Sequence, residues 1–113
     1  MKKENRLKLN KDFRRLYARG KSSVNGCIVV YAMKSRYPKL RAGITVGKNV
    51  GNAVHRNRAK RLIRAAFDSL FSGICTGYDI IIVARTRING KKMKQVSGDL
   101  KKALVALGLY AGE

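Results

Sequence analysis

The chain has 113 residues, with 26 Lys+Arg against 6 Asp+Glu and a net charge of +20, a length that suits one domain, residues 1–113, with one core. An apolar fraction of 45% excludes a disordered basic tail, because such tails have too little to bury to offset the entropy of folding. The uncharged apolar run Ile80 to Ala84 is far shorter than the roughly 18 residues of a spanning helix, and Met1 to Arg6 leads into no apolar signal core, so a cytoplasmic protein without a membrane segment is expected.

In chain order, Asn10 suits an N-cap, Phe13, Leu16 and Tyr17 follow at helical spacing, and Gly20 suits a stop, so Lys11 to Arg19 is predicted helical. Ser22 to Gly26 reads as a polar turn, and Cys27 to Met33 as a strand rich in β-branched residues. Pro38 falls in a basic loop, Lys34 to Arg41, suited to joining antiparallel strands. Ala42 to Lys48 is predicted as a second strand, with Ile44 and Val46 on one face and the small Gly43, Thr45 and Gly47 on the other, where another backbone can approach.

Gly51-Asn52 interrupts the chain before its most regular segment. Ala59, Leu62, Ile63, Ala66, Phe67, Leu70 and Phe71 recur at i, i+3, i+4, i+7, i+8, i+11 and i+12, one full amphipathic stripe. Gly73 and Gly77 end the helix, and Tyr78 to Ala84 is a strand apolar on both sides, which places it inside a sheet. Arg85 to Gln95 reads as a basic loop, and Ser97 as the cap of a last helix with Leu100, Ala103, Leu104 and Leu107 inward. Mixed order with few strands favours an α/β sandwich with helices against one face of a sheet. Cys27 and Cys75 stand 48 apart with His55 as the only other soft ligand, which supports neither a disulfide framework nor a zinc site, so both are expected as small core residues.

The stripe's opposite side carries the functional signal. Between positions 55 and 67 the helix holds five cations, Arg56, Arg58, Lys60, Arg61 and Arg64, and no acid. Arg56, Lys60 and Arg64 align at i, i+4 and i+8, a spacing at which like charges destabilise an isolated helix. A solvated face ordinarily intersperses Glu to relieve that repulsion. A phosphate-binding ridge explains its persistence, since Arg forks match phosphate geometry, and the whole charge balance favours a polyanionic partner, nucleic acid before anionic membrane. Asn57, inside the ridge, can donate and accept, toward a base edge, a 2′-hydroxyl or its own fold. His55 could stack on a base, or be an incidental polar residue near a helix start.

The run Val46-Gly47-Lys48-Asn49-Val50-Gly51-Asn52-Ala53-Val54-His55-Arg56-Asn57-Arg58-Ala59-Lys60-Arg61-Leu62-Ile63-Arg64 closely resembles the signature of the bacterial ribonuclease P protein subunit. Asn10-Lys11-Asp12-Phe13 with Tyr17 and Gly20, the strand through Tyr31, and Tyr78 to Ala84 resemble that family's first helix, leader-contacting strand and last strand, so nearly the whole chain is covered in order. The resemblance implies an α+β fold, a two-layer sandwich of one mixed four-stranded sheet and three helices with a left-handed β-α-β crossover (ribosomal protein S5 domain 2-like). It implies a subunit, one per RNA, that binds the catalytic RNA of ribonuclease P and promotes endonucleolytic removal of the 5′ leader from precursor tRNA. The RNA then supplies the active site, and Mg2+ is held mainly by the RNA and substrate, none tightly by the protein. Carried over by position, Arg56, Asn57, Arg58, Lys60, Arg61 and Arg64 face the RNA, with Lys48 a further phosphate contact, while Phe13, Tyr17 and Tyr31 line a cleft for the single-stranded leader. Asn49 stands where many relatives carry a second lysine, which leaves a contact from that position open.

The residues themselves agree in kind. Aromatic platforms beside cations hold single strands with little sequence preference, although Phe13 and Tyr17, at i and i+4, also suit a core. Phosphodiester hydrolysis by a protein needs clustered carboxylates with metals, or paired His. Glu4, Asp12, Asp68, Asp79, Asp99 and Glu113 are scattered, and there is one His. A non-catalytic subunit is therefore expected, with a structural RNA-binding protein of ribosomal type as the alternative and a membrane-surface protein behind it.

Overall fold

Three consecutive isoleucines, Ile80, Ile81 and Ile82, are fully buried, which demands cover on both faces of the strand that carries them. The computed structural model describes residues 1–111 and shows how that cover is arranged. In chain order the elements are α1 (Asn10–Arg19), β1 (Lys21–Asn25), β2 (Ile28–Lys34), β3 (Arg41–Thr45), α2 (Ala53–Leu70), β4 (Tyr78–Ala84) and α3 (Met93–Ala106). They form one mixed four-stranded sheet in the order β1-β2-β4-β3. The isoleucine strand β4 is interior, antiparallel to β2 and parallel to β3. Because β3 and β4 are parallel neighbours, α2 is the crossover between them.

One sheet face, built from Ile28, Val30, Ala32, Ala42, Ile80, Ile82 and Ala84, packs against Ala59, Ile63, Ala66, Phe67 and Leu70 of α2 and Val96, Leu100, Ala103 and Leu104 of α3. The opposite face holds a smaller cluster, Ile81 with Leu7 and Leu16, flanked by Phe13, Tyr31, Met33 and Val83. The expectation of helices on one face thus holds for α2 and α3, whereas α1 covers part of the other. Gly43 lies under α1, and a Cβ there would sit 2.5 Å from Phe13 Cζ. The small residue expected to let another backbone approach is instead covered by an aromatic side chain.

Strand β2 runs one residue later than expected and β3 starts one residue earlier, and four further boundaries differ from the sequence reading, each for a local reason. Ser22 to Gly26 is mostly strand: β1 pairs with β2 from Lys21↔Ala32 to Asn25↔Ile28. Gly26, at φ +51°, makes the tight reversal, while the Asp99 carboxylate accepts the Cys27 N–H at 3.0 Å. The second strand ends at Thr45, and residues 48–50 form a short 3₁₀ turn that buries Val50. Helix α1 begins at Asn10 itself, without a side-chain cap. Ser97 lies inside α3, which starts at Met93 because the Gln95 side chain accepts the Lys92 N–H at 2.9 Å, closing the first turn from a residue type that the search for Ser, Thr, Asp or Asn passes over.

Cys27 is buried and Cys75 half-buried, both free. Burial, reinforced by the Asp99 carboxylate, pushes the Cys27 thiol up to about 12, consistent with a core residue. No helix is long and apolar enough to cross a membrane among the described residues.

Candidate nucleic-acid interface

Helix α2 owes its start to a local device. Asn52 is the N-cap, and its Oδ1 accepts the His55 backbone N–H at 3.2 Å. With the stripe of Ala59, Ile63, Ala66, Phe67 and Leu70 buried, the helix turns the rest of its circumference outward. Asn57, Arg61 and Arg64 are exposed, and Arg56, Arg58 and Lys60 are half-buried, with their stems along the protein and their charges at its edge. The ion pairs of the described residues are Met1 to Asp68, Arg15 to Asp12, and Arg15 and Arg41 to Asp79. None takes a cation of the ridge, so the repulsion among those cations is unrelieved within the described protein.

The ridge residues are not equivalent. Arg58 turns its guanidinium back to the Lys91 carbonyl, bracing the segment ahead of α3, and the Asn89 side chain similarly donates to the Val50 carbonyl at 2.7 Å. Arg58 therefore tethers the ridge to the basic residues 91–94 as well as contributing charge. Arg56, Asn57, Lys60, Arg61 and Arg64 make no side-chain hydrogen bond to the described residues. Lys48 and Asn49 are exposed on the turn between β3 and α2, at the end of the sheet where α2 begins.

The three aromatic residues come together on the α1 face. Tyr17 and Tyr31 meet edge to face with ring centroids 4.9 Å apart, and the Tyr17 hydroxyl is hydrogen-bonded to Thr45 Oγ1 at 3.0 Å. Tyr17 is exposed, and Tyr31 is half-buried. Phe13 stands apart in character, half-buried with its ring seated on Gly43. Cross-strand pairing aligns Val24 with Val29, Val29 with Val83, and Thr45 with Val83, so beyond Tyr17 and Tyr31 the sheet presents a row of small apolar side chains. Val24 is exposed and Val29 and Val83 half-buried. This row ends at Thr45, the last residue of β3, and the chain runs from there through Lys48 into the ridge. An aromatic rim on an apolar floor is thus joined, through residues 46–52, to the helix that carries a row of cations without acid partners.

The same face contains an arrangement that the sequence did not reveal. Asp79 is fully buried and receives three hydrogen bonds: Arg41 Nε to Oδ1 at 2.8 Å, Arg41 Nη2 to Oδ2 at 2.8 Å, and Arg15 Nη2 to Oδ2 at 2.8 Å. The Arg41 guanidinium also lies 4.8 Å over the Tyr37 ring, and Asp79 beside it raises its pKa. Because Arg15 belongs to α1 and Asp79 to β4, the clamp fixes the helix that carries Phe13 and Tyr17. An acid within an apolar strand was the available signal. A cavity opens beside this clamp, lined by Lys11, Arg36 and Tyr37 among others, at the end of α1 away from Tyr17.

Glu4 is exposed, and three of the other acids are placed structurally. Asp99 holds the β1–β2 turn, Asp68 receives the Met1 amine at 2.7 Å, and Asp12 faces Arg15 at 3.4 Å. Glu113 lies outside the described residues. Among the described residues no three His, Cys, Asp or Glu side chains gather in a group able to hold a metal.

The ribonuclease P family pattern matches residues 1–108. Over 109 residues the chain is 40% identical to the ribonuclease P protein component of Clostridium botulinum (strain 657 / Type Ba4), covering 96% of this chain and 98% of the relative. With the same component from Shouchella clausii it shares 41% over 115 residues, 97% of this chain and 94% of the relative. The Staphylococcus aureus RNase P protein superposes with a TM-score of 0.84 at 36% identity, covering 94% of this chain and 97% of that one. The RNase P protein from Thermotoga maritima gives 0.78 at 31%, over 86% and 92%. Motif, helix order, sheet and length therefore agree, and the chain belongs to the family of bacterial ribonuclease P protein components, parts of an endoribonuclease that acts in tRNA processing.

Proposed function

We propose that this protein binds the catalytic RNA of ribonuclease P through α2 and holds the 5′ leader of precursor tRNA on the α1 face of the sheet, while the RNA supplies the active site. The observation that carries this reading is the presence of two surfaces of different chemistry, linked by the chain from Thr45 through Lys48 into α2. Arg56, Lys60, Arg61 and Arg64 offer charge without acid partners, as a folded polyanion requires. Tyr17, Tyr31 and the valine row offer stacking and apolar contact, as a single strand requires.

The roles divide accordingly. Arg56, Lys60, Arg61, Arg64 and Lys48 neutralise backbone phosphates of the RNA, Asn57 contacts a base edge or ribose, and Arg58 contributes charge while bracing residue 91. Tyr17 and Tyr31 stack with leader bases, and Phe13 shapes the cleft from its seat on Gly43. Where two RNAs meet, cations of a protein substitute for part of the counterion atmosphere, which lowers the Mg2+ needed to hold substrate against ribozyme. Mg2+ is then held mainly by the RNA and substrate. One protein serves one RNA, in the cytoplasm, with no membrane partner.

Tyr17→Ala and Tyr31→Ala test the leader assignment. Each is expected to weaken binding of precursor tRNA to the reconstituted holoenzyme by about five- to 150-fold, from a stacking contribution of about 1 to 3 kcal/mol per base, and to leave mature tRNA unaffected. Equal losses for precursor and mature tRNA would assign the two tyrosines to folding or to the RNA subunit instead.

A further inference from the structure

The cations of the ridge can only donate hydrogen bonds, so they read phosphates and cannot recognise a donor on the RNA. At the first turn of α2 the structure builds an acceptor among them. Asn52 Oδ1 accepts the His55 backbone N–H at 3.2 Å and lies 2.8 Å from His55 Nδ1. A carboxamide oxygen has no proton to give, so in the neutral imidazole Nδ1 carries the hydrogen and Nε2 presents its lone pair. Gly51 makes the pose available. Its φ is +140°, and a Cβ there would stand 3.0 Å from His55 Cβ and 3.1 Å from Nδ1. His55 is exposed, and Nε2 has no partner among the described residues. Ring, tautomer and position are thus fixed by Gly51 and Asn52, directly beside Arg56.

We propose that His55 Nε2 is a specificity contact that accepts a hydrogen bond from a ribose 2′-hydroxyl of the RNA bound along α2, so that phosphate attraction by the ridge is converted into a preference for RNA over DNA. The 2′-hydroxyl is the donor that distinguishes the two backbones at any site. Asn52 is then a positioning residue, acting through the imidazole. This inference rests on the reading of α2 as the RNA-binding ridge.

The experiment compares the full-length protein, His55→Ala, Asn52→Ala and Asn52→Asp for binding to a ribonuclease P RNA and to a DNA strand of the same sequence, across a salt series at neutral pH. His55→Ala is expected to lower the RNA-to-DNA affinity ratio by about fivefold to tenfold, the worth of one ordinary hydrogen bond, with the salt slope unchanged. Asn52→Ala should lower it in the same direction, and Asn52→Asp, which keeps the cap but whose carboxylate favours an imidazolium that donates from Nε2, should lower it at neutral pH and recover it in a parallel series at alkaline pH. Circular dichroism separates a frayed helix start from a missing hydrogen bond to the RNA. An unchanged ratio in His55→Ala would overturn the inference, and so would equal losses on RNA and DNA, which describe a phosphate contact. Wild-type binding without a salt-dependent slope would instead overturn the ridge reading itself.

Discussion

Replacing Arg56 and Lys60 together by alanine is expected to flatten the dependence of log K on log salt by about 1.4 to 1.8 and to weaken binding of the ribonuclease P RNA by about ten- to 100-fold near 0.1 M salt. The slope follows from the counterions released on RNA binding, about 0.7 to 0.9 for each phosphate that a cation neutralises. The affinity follows from two charge-assisted hydrogen bonds of roughly 1 kcal/mol each, reduced from their buried worth because both side chains reach solvent. Arg56 and Lys60 are half-buried and unpaired among the described residues, so the fold should survive. Removing neighbouring like charges even relieves repulsion along the helix. Filter binding or fluorescence titration over a salt series measures both quantities. A parallel shift of the line, with the wild-type slope, would mean that the two cations stabilise the protein and touch no phosphate.

Asp79→Asn is expected to cost about 3 kcal/mol of folding stability, a fall of roughly 10 to 20 °C in Tm. The carboxylate is fully buried and pairs with two guanidiniums at once. Its amide replacement keeps the shape and removes the charge, leaving Arg41 and Arg15 with side chains only 20% and 32% exposed. Partial access to water keeps the cost at the lower end for a broken buried pair. The second effect is functional, because Arg15 anchors α1 to β4: the variant should lose discrimination between precursor and mature tRNA before it loses RNA affinity. Thermal denaturation of wild type, Asp79→Asn and Arg41→Ala, with the double variant, measures the coupling. A loss below about 1 kcal/mol would show that the clamp orients side chains without stabilising the fold.

What the sequence made legible is what depends on periodicity. The α2 stripe from Ala59 to Leu70 and the limits of β4 at 78 and 84 follow from spacing and from β-branched runs and hold, whereas Phe71, expected in the stripe, lies beyond the helix in a 3₁₀ turn and is exposed. The cations of α2 were legible because nothing between them compensates. Strand β1 was not, because its Lys, Ser and Asn residues lie at a sheet edge, largely exposed, where no apolar alternation is required. The start of α3 was hidden because a glutamine, not a Ser or Asp, closes its first turn. The side of the sheet that α1 covers is a tertiary choice, made by Leu16 against Ile81 and by Arg15 against Asp79, and no local pattern encodes it. For the site, charge and residue type pointed to the ridge and the aromatics, but the Tyr17 to Thr45 bond, the Arg58 brace and the Asn52 to His55 hydrogen bond arise only once the chain has folded. Resemblance to a family supplied the joining of these parts into one site.

That this chain positions RNA for an active site lying in the RNA itself is tested most directly by cleavage of a precursor tRNA at low magnesium. The reaction is run with a bacterial ribonuclease P RNA, with and without the protein, beside the protein alone. Strong stimulation in the combined reaction, with no cleavage by the protein alone, is the predicted result. Failure of the folded protein to stimulate its cognate RNA, or cleavage by the protein without RNA, would contradict it.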